Sequence, residues 1–243
     1  YGDHRDLHRV DRRQRQMCIR DRYIGGHGTA IAGSIVDSGN FAWNSSSKFK
    51  TLTEPYKGFH DMNFVDEYGP AAYINRARKE GARDFGACMS PTTAFQILQG
   101  IETLPLRMQK HVENTSAVVN FLQEQDQVEW LNHPILPSHP DHALAKTILP
   151  KGCGAVFSFG IKGGREAGIK FIEHLELFSH LANVGDAKSL VIHPASTTHH
   201  RMDSKSLKAA GISEGLIRLS IGLENSEDLM ADLSRGLRAS RKV

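Results

Sequence analysis

The 243-residue chain is poor in cysteine, holding only Cys18, Cys88 and Cys153. Odd in number and far apart, they form neither a disulfide framework nor a paired-cysteine zinc site, and reduced thiols are the simple reading. Long apolar runs are missing too: none approaches the roughly 20 residues that span a bilayer. The N-terminus is polar and arginine-rich and lacks the apolar centre of a secretory signal. A soluble protein of the cytoplasm, with no membrane partner, is the expectation. Residues 1–22 contain no Lys, Glu, Ala, Ser or Thr, yet they hold seven Arg and four Asp. The formal net charge of +3 belongs to that tail, because residues 23–243 balance 23 basic against 23 acidic side chains. A nucleic-acid footprint should lie on the folded surface, so nucleic acid is not an expected partner.

The tail also lacks a hydrophobic period. Its stretch Gln14-Arg15-Gln16-Met17-Cys18-Ile19-Arg20-Asp21-Arg22 resembles translated sequencing-adapter read-through. Residues 1–22 are therefore expected to be an artefactual or disordered tail, a genuine basic arm being the alternative.

From Tyr23 onward the local signals are mutually consistent, with no internal repeat and no low-complexity segment. Thr29 to Val36 is short, apolar and bounded by glycines, which predicts a buried strand. Residues 40–70, rich in Asn, Ser, Lys and aromatics without a clear period, read as a long surface excursion. Ser90-Pro91 supplies an N-cap and a first-turn proline; Phe95, Leu98, Ile101 and later Val112, Val118, Val119 and Leu122 follow at helical spacing. Pro105 predicts either two helices or one kinked there. His133 to Pro140 is a proline-rich loop, and a second domain is expected to begin near Val128.

The last hundred residues read as a small α/β unit. Ala155, Phe157, Phe159 and Ile161 alternate with Val156, Ser158 and Gly160, the period of a strand with one buried face. Glu166 to Phe178 carries Ile169, Phe171, Ile172 and Leu175 at helical spacing. Ile217, Leu219, Ile221 and Leu223 point one way along a second strand while Arg218, Ser220, Gly222 and Glu224 point the other. A final helix is predicted from the cap Ser226, with Glu227 and Asp228 in its first turn and Arg235 and Arg238 near its end, matching its dipole.

Among single residues, Arg218 stands out as a guanidinium on the polar face of an apolar strand, placed to grip a carboxylate through two parallel hydrogen bonds. Gly25-Gly26-His27-Gly28 is a weak candidate for a phosphate loop, because it lacks the Lys-Ser/Thr of a P-loop and leads into a strand rather than a helix. Thirteen histidines raise a metal reading, with His139 and His142, or His193, His199 and His200, as ligands. The first pair sits among prolines, where no helix sets the spacing, and no metal site is expected.

Three blocks in order carry a resemblance: Tyr23-Ile24-Gly25-Gly26-His27-Gly28-Thr29, the run from Asn183-Val184-Gly185-Asp186-Ala187-Lys188-Ser189 through His193-Pro194-Ala195-Ser196-Thr197-Thr198-His199, and Leu216 to Glu224. With Ser138-His139-Pro140 and Leu144-Ala145-Lys146 between them, they resemble the pyridoxal-phosphate (PLP) enzymes of cysteine and methionine metabolism over residues 23–243. His27-Gly28-Thr29-Ala30, the insert Asn40 to Asp61, and Lys188 favour the O-acetylhomoserine sulfhydrylase branch of that family. Cystathionine γ-synthase and methionine γ-lyase types are the alternatives within it, and a non-catalytic interaction module the alternative outside it.

The resemblance implies an α/β fold, the fold type I of PLP-dependent transferases: residues 23–127 as the end of the large PLP-binding domain, and 128–243 as a C-terminal α/β domain with a mainly antiparallel sheet. It implies a γ-replacement of transsulfuration and methionine biosynthesis, in which O-acetylhomoserine and sulfide give homocysteine and acetate. Arg218 would hold the substrate's α-carboxylate and Ser189 would also bind substrate, with Asn183 and Thr198 lining the site. The cofactor lysine is expected at the position of Arg22, so no catalytic residue is present, and the residues that grip and stack on PLP precede that position. The chain as written is thus expected to be inactive and to bind PLP poorly, while full-length relatives would be homo-oligomers, typically tetramers.

Overall fold

The computed structural model describes residues 22–241, so the expectation for the tail lies outside the described residues except at Arg22. By packing, these residues form two units, one of 30–97 and one of 22–29 together with 98–241. This division differs from the one placed at Val128 in where it assigns the long central helix.

In the 30–97 unit the strand expected over Thr29–Val36 does not form. Ile31 is 84% exposed, and Ile35 and Val36 are close to half exposed. Apolar composition suits a strand, but a strand needs neighbours for its N–H and C=O groups, and none of the described strands lies in this unit. The stretch read as a surface excursion instead builds a small aromatic core. Short 3₁₀ turns and the helices α1 (Lys50–Thr53), α2 (Phe64–Tyr68) and α3 (Ala72–Arg76) wrap the buried Trp43, Leu52, Phe59 and Phe64. Trp43 stacks on Tyr73 at 5.6 Å and meets Phe49 edge-on at 5.3 Å, geometries the ring quadrupoles favour. Asn63 caps α2 by accepting from the N–H groups of Val65 and Asp66, while its own amide donates to the Thr53 carbonyl at 2.9 Å.

The helix that begins at Ser90-Pro91 is α4 (Pro91–Gln123), a single helix with Pro105 inside it rather than two. The Ser90 hydroxyl accepts from the Thr93 N–H at 3.1 Å, the expected cap.

The second unit is built on a five-stranded sheet in the order β1-β2-β5-β4-β3. Its strands are β1 (Val128–Asn132), β2 (Val156–Ile161), β3 (Ser179–His180), β4 (Leu190–Ile192) and β5 (Leu216–Ser220). Every pairing is antiparallel except β3 with β4. The α5 helix (His142–Ile148) follows the proline-rich loop, α6 (Gly164–Glu173) follows β2, α7 (Ser204–Ala209) precedes β5, and α8 (Ser226–Ser240) closes the chain. The alternation read from the sequence holds on β2 and β5: Phe157, Phe159, Ile161, Ile217 and Leu219 are buried, and Phe159 meets Phe171 of α6 edge-on at 5.7 Å. Helices α6 and α8 pack on each other, with Phe171, Leu229, Leu233 and Leu237 in the same core. Two ends differ from expectation. The α8 cap is Asn225, one residue before Ser226, its side chain accepting from the Glu227 N–H. The α6 helix stops at Glu173, and the following chain turns so that the N–H groups of Glu176, Leu177 and Phe178 all reach the buried carboxylate of Asp232.

Candidate functional site

The three sequence blocks meet in the second unit. The turn after Arg22 closes with the Gly26 N–H on the Arg22 carbonyl at 2.7 Å, and the Gly26 carbonyl then accepts from the Ala187 N–H at 2.8 Å. Gly26 takes φ +76, and a Cβ there would strike the Arg107 guanidinium, so glycine is required on both counts. The Asn183–Ser189 loop joins the end of β5 through the Gly185 N–H on Ser220 Oγ at 2.9 Å and the Leu223 N–H on the Ala187 carbonyl at 2.8 Å.

A polar stripe on α4 fastens this assembly. Arg107, His111 and Asn114 recur at helical spacing and all three are buried. The Arg107 guanidinium donates to the carbonyls of Tyr23 (2.7 Å), Ile24 (3.0 Å) and Gly100 (2.7 Å) and to Thr103 Oγ1 (3.1 Å). His111 Nδ1 donates to the Ile221 carbonyl at 2.6 Å, and Asn114 donates to the carbonyls of Gly222 and Glu224. Sequence reasoning missed all three residues. The trace they leave is a polar i, i+4, i+7 series on a face that is otherwise apolar at Leu104, Met108 and Val118.

Arg218 lies on the face of the sheet opposite Ile217 and Leu219, half-buried, with one long contact of 3.5 Å to the Asn183 carbonyl. Burial, and then the like charge of Arg22, lower its pKa. The two guanidinium groups therefore share one electrostatic neighbourhood. Arg218 lines a cavity of about 480 Å³ with Asn132, His139, Ser158 and Pro194. Ser189 sits elsewhere: it is fully buried, its hydroxyl donating to Glu224 Oε2 at 2.8 Å and accepting from the Gly222 N–H at 2.7 Å. Thr198 is exposed and bonded to His199 Nδ1 at 2.8 Å. The structure thus brings Asn183 to Arg218 by a backbone contact, whereas Ser189 and Thr198 touch other partners. Of the histidines weighed as metal ligands, His142 bonds to the Pro134 carbonyl and His193 to Ser196 and the Glu214 carbonyl. Among the described residues no three His, Cys, Asp or Glu side chains cluster as a ligand set, and no described helix is long and apolar enough to cross a membrane.

Burial lowers the pKa of His111, His133 and His193 from the ordinary 6.5. For His111 the neighbouring Arg107 charge adds to the effect, while the bond to Ile221 opposes it. An imidazole held neutral in the fold but free to protonate in the unfolded chain makes unfolding take up protons below about 6.5. The resulting stability is complete above that pH and is lost as pH falls through the depressed folded values. The urea midpoint is expected to drop between about pH 7 and pH 5, a window above the ordinary carboxylate range. A midpoint flat across that window would refute the assignment.

The chain belongs to the family of Cys/Met metabolism PLP-dependent enzymes, whose model matches residues 20–238. It is 48% identical over 216 residues to O-acetyl-L-homoserine sulfhydrylase 1 of Thermus thermophilus, covering 89% of this chain and 51% of that protein. It is 47% identical over 226 residues to the O-acetyl-L-homoserine sulfhydrylase of Leptospira meyeri, again covering 89% and 51%. The crystal structure of a putative O-acetylhomoserine (thiol)-lyase from Campylobacter jejuni superposes with a TM-score of 0.79 at 36% identity, over 90% of this chain and 52% of that one. The chain thus spans about half the length of the relatives it matches, and its α/β fold with a mainly antiparallel C-terminal sheet is that of the PLP-dependent family.

The Campylobacter jejuni structure contains N'-pyridoxyl-lysine-5'-monophosphate. In this chain the residue before Tyr23 is Arg22, whose guanidinium offers no primary amine to condense with an aldehyde. Arg22 also adds a like charge beside Arg218. The residues present do not fit covalent attachment of the cofactor at this position.

Proposed function

We propose that this chain is the C-terminal part of an O-acetylhomoserine sulfhydrylase, the PLP-dependent transferase that makes homocysteine and acetate from O-acetylhomoserine and sulfide, and that as written it does not catalyse this reaction. The observation that carries the reading is the joining of the Tyr23–Gly28 turn, the Asn183–Ser189 loop and the end of β5 beside Arg218. In that setting Arg218 binds the α-carboxylate of the amino-acid substrate. A guanidinium held rigidly on a strand fixes the orientation of the substrate, which is a positioning contribution to rate rather than a chemical one. Ser189 supports the site from within, holding Glu224 and the Gly222 N–H so that the loop before β4 and the chain after β5 keep their paths. Residues 23–127 continue the large PLP-binding domain and 128–243 form the small domain. Homo-oligomers of the full-length enzyme in the cytoplasm complete the reading.

The test is cofactor trapping. The chain as purified, with no PLP added, is expected to show no absorbance that borohydride fixes to a side chain, and with PLP supplied it is expected to give no homocysteine from O-acetylhomoserine and sulfide. Covalent PLP in the digested protein, or turnover, would overturn the statement that this chain is inactive. The substrate reading is separately sunk if a full-length gene with lysine at position 22 turns over cystathionine precursors but not O-acetylhomoserine with sulfide.

A further inference from the structure

The cavity beside Arg218 contains more than Arg218. The strand register places Asn132 of β1 opposite Ser158 of β2, and Ser158 opposite Arg218 of β5, so the three residues form one row across the sheet. Directly opposed residues have Cβ atoms about 5 Å apart, which lets three neighbouring side chains converge on one small group. All three line the same cavity of about 480 Å³, together with His139.

The hydrogen bonds fix which atoms Asn132 presents. The Asp141 N–H donates to His139 Nδ1 at 3.1 Å, so that nitrogen is an acceptor and the ring proton of the neutral imidazole sits on Nε2. His139 Nε2 then donates to Asn132 Oδ1 at 3.0 Å. With its oxygen committed to His139, Asn132 is left to offer the two N–H donors of its amide nitrogen. Ser158 adds a hydroxyl and Arg218 its guanidinium. A cavity edged by an arginine, an amide nitrogen and a hydroxyl, with no carboxylate among its lining residues, favours an anion with several acceptor oxygens.

We propose that Asn132 and Ser158 share with Arg218 the binding of the substrate carboxylate, with His139 as a positioning residue that turns the Asn132 amide nitrogen toward the ligand. The proposal rests on the reading of Arg218 given above. It adds two donors that extend the grip beyond a single guanidinium and select a planar carboxylate over a neutral carbonyl.

The experiment follows the side-chain N–H resonances of Asn132 and Arg218 in the 243-residue chain during titration with O-acetylhomoserine and with its carboxamide, which lacks the charge. The carboxylate probe is expected to shift both resonances and the carboxamide neither. Asn132→Leu and Ser158→Ala are each expected to weaken carboxylate binding about tenfold, and Arg218→Met to abolish it. His139→Leu is expected to weaken binding and move the Asn132 amide resonance in the free protein, while His139→Gln, which keeps a donor, restores part of both. These residues lie on a partly exposed face, so a thermal midpoint within a few degrees of wild type confirms that each variant is folded. Should Arg218→Met abolish binding while Asn132→Leu and Ser158→Ala leave affinity unchanged, the proposal fails and the Arg218 reading stands. Should Arg218→Met bind as wild type does, the Arg218 reading fails. No carboxylate binding by the wild-type chain at millimolar concentration would overturn the proposal outright.

Discussion

Replacing Asp232 by alanine is expected to destabilise the second unit by roughly 3–4 kcal/mol, enough to unfold a large share of a marginal domain. Asp232 is 2% exposed on α8 and accepts from three successive backbone N–H groups, those of Glu176 (2.9 Å), Leu177 (2.9 Å) and Phe178 (3.1 Å). Alanine removes a charged acceptor and leaves those donors without a protein partner where the chain passes from α6 into β3. Part of the cost arises where Phe178 enters the core, since a buried donor without a partner carries its full desolvation penalty. The Arg235 contact at 3.8 Å contributes little by comparison, because its guanidinium is substantially exposed. Asp232→Asn, which keeps an acceptor oxygen, is expected to lose about half as much, and the exposed Asp228→Ala less than 0.5 kcal/mol on the scale of ordinary surface changes. Urea unfolding of the three variants measures the order; equal midpoints for Asp232→Ala and Asp228→Ala would show that the carboxylate holds nothing.

The second large effect is expected at Arg107. Arg107→Met retains the aliphatic stem but removes a guanidinium that is 6% exposed and bonded to three carbonyls and one hydroxyl. Burial already lowers the pKa of this arginine, a sign that its charge is held at some cost in desolvation and needs those acceptors. We expect a loss of roughly 2–4 kcal/mol and, more specifically, release of the 22–28 turn from α4. Hydrogen exchange discriminates this from general weakening: the Gly26 and Ala187 amides should lose protection well before those of β2 and β5. Arg107→Lys is expected to recover little, since one ammonium cannot reach carbonyls disposed for a planar fork. If the Gly26 and Ala187 amides exchange in step with the sheet, the turn is not held by Arg107.

The contrast between what the sequence discloses and what it conceals follows from period and partnership. β2 and β5 are legible because one face is buried and the other open, so Phe157/Phe159 and Ile217/Leu219 alternate with Ser158 and Arg218. β4 carries no such mark: Leu190, Val191 and Ile192 are all buried, and a strand covered on both faces has no alternation to read. The Thr29–Val36 segment has the composition of a strand but not its neighbours, and pairing is a property of the whole fold. α6 ends before Leu175 although the apolar spacing continues, because the Asp232 carboxylate across the core captures the next three N–H groups. In the candidate site, Arg218 was visible as a charge on an apolar strand. Asn132 and Ser158 were not, because their association with it depends on a register that joins residues distant in sequence.

The two tryptophans fall one to each packing unit, Trp43 within 30–97 and Trp130 within 98–241. Trp43 is 5% exposed among aromatic rings, whereas Trp130 lies over Gly160 at the edge of the sheet, where a Cβ would strike its indole. Each unit therefore carries its own fluorophore. Trp130→Phe leaves emission that reports only the aromatic core, and Trp43→Phe leaves emission that reports only the sheet. Denaturant curves of this pair would separate the stability of one unit from that of the other without cutting the chain.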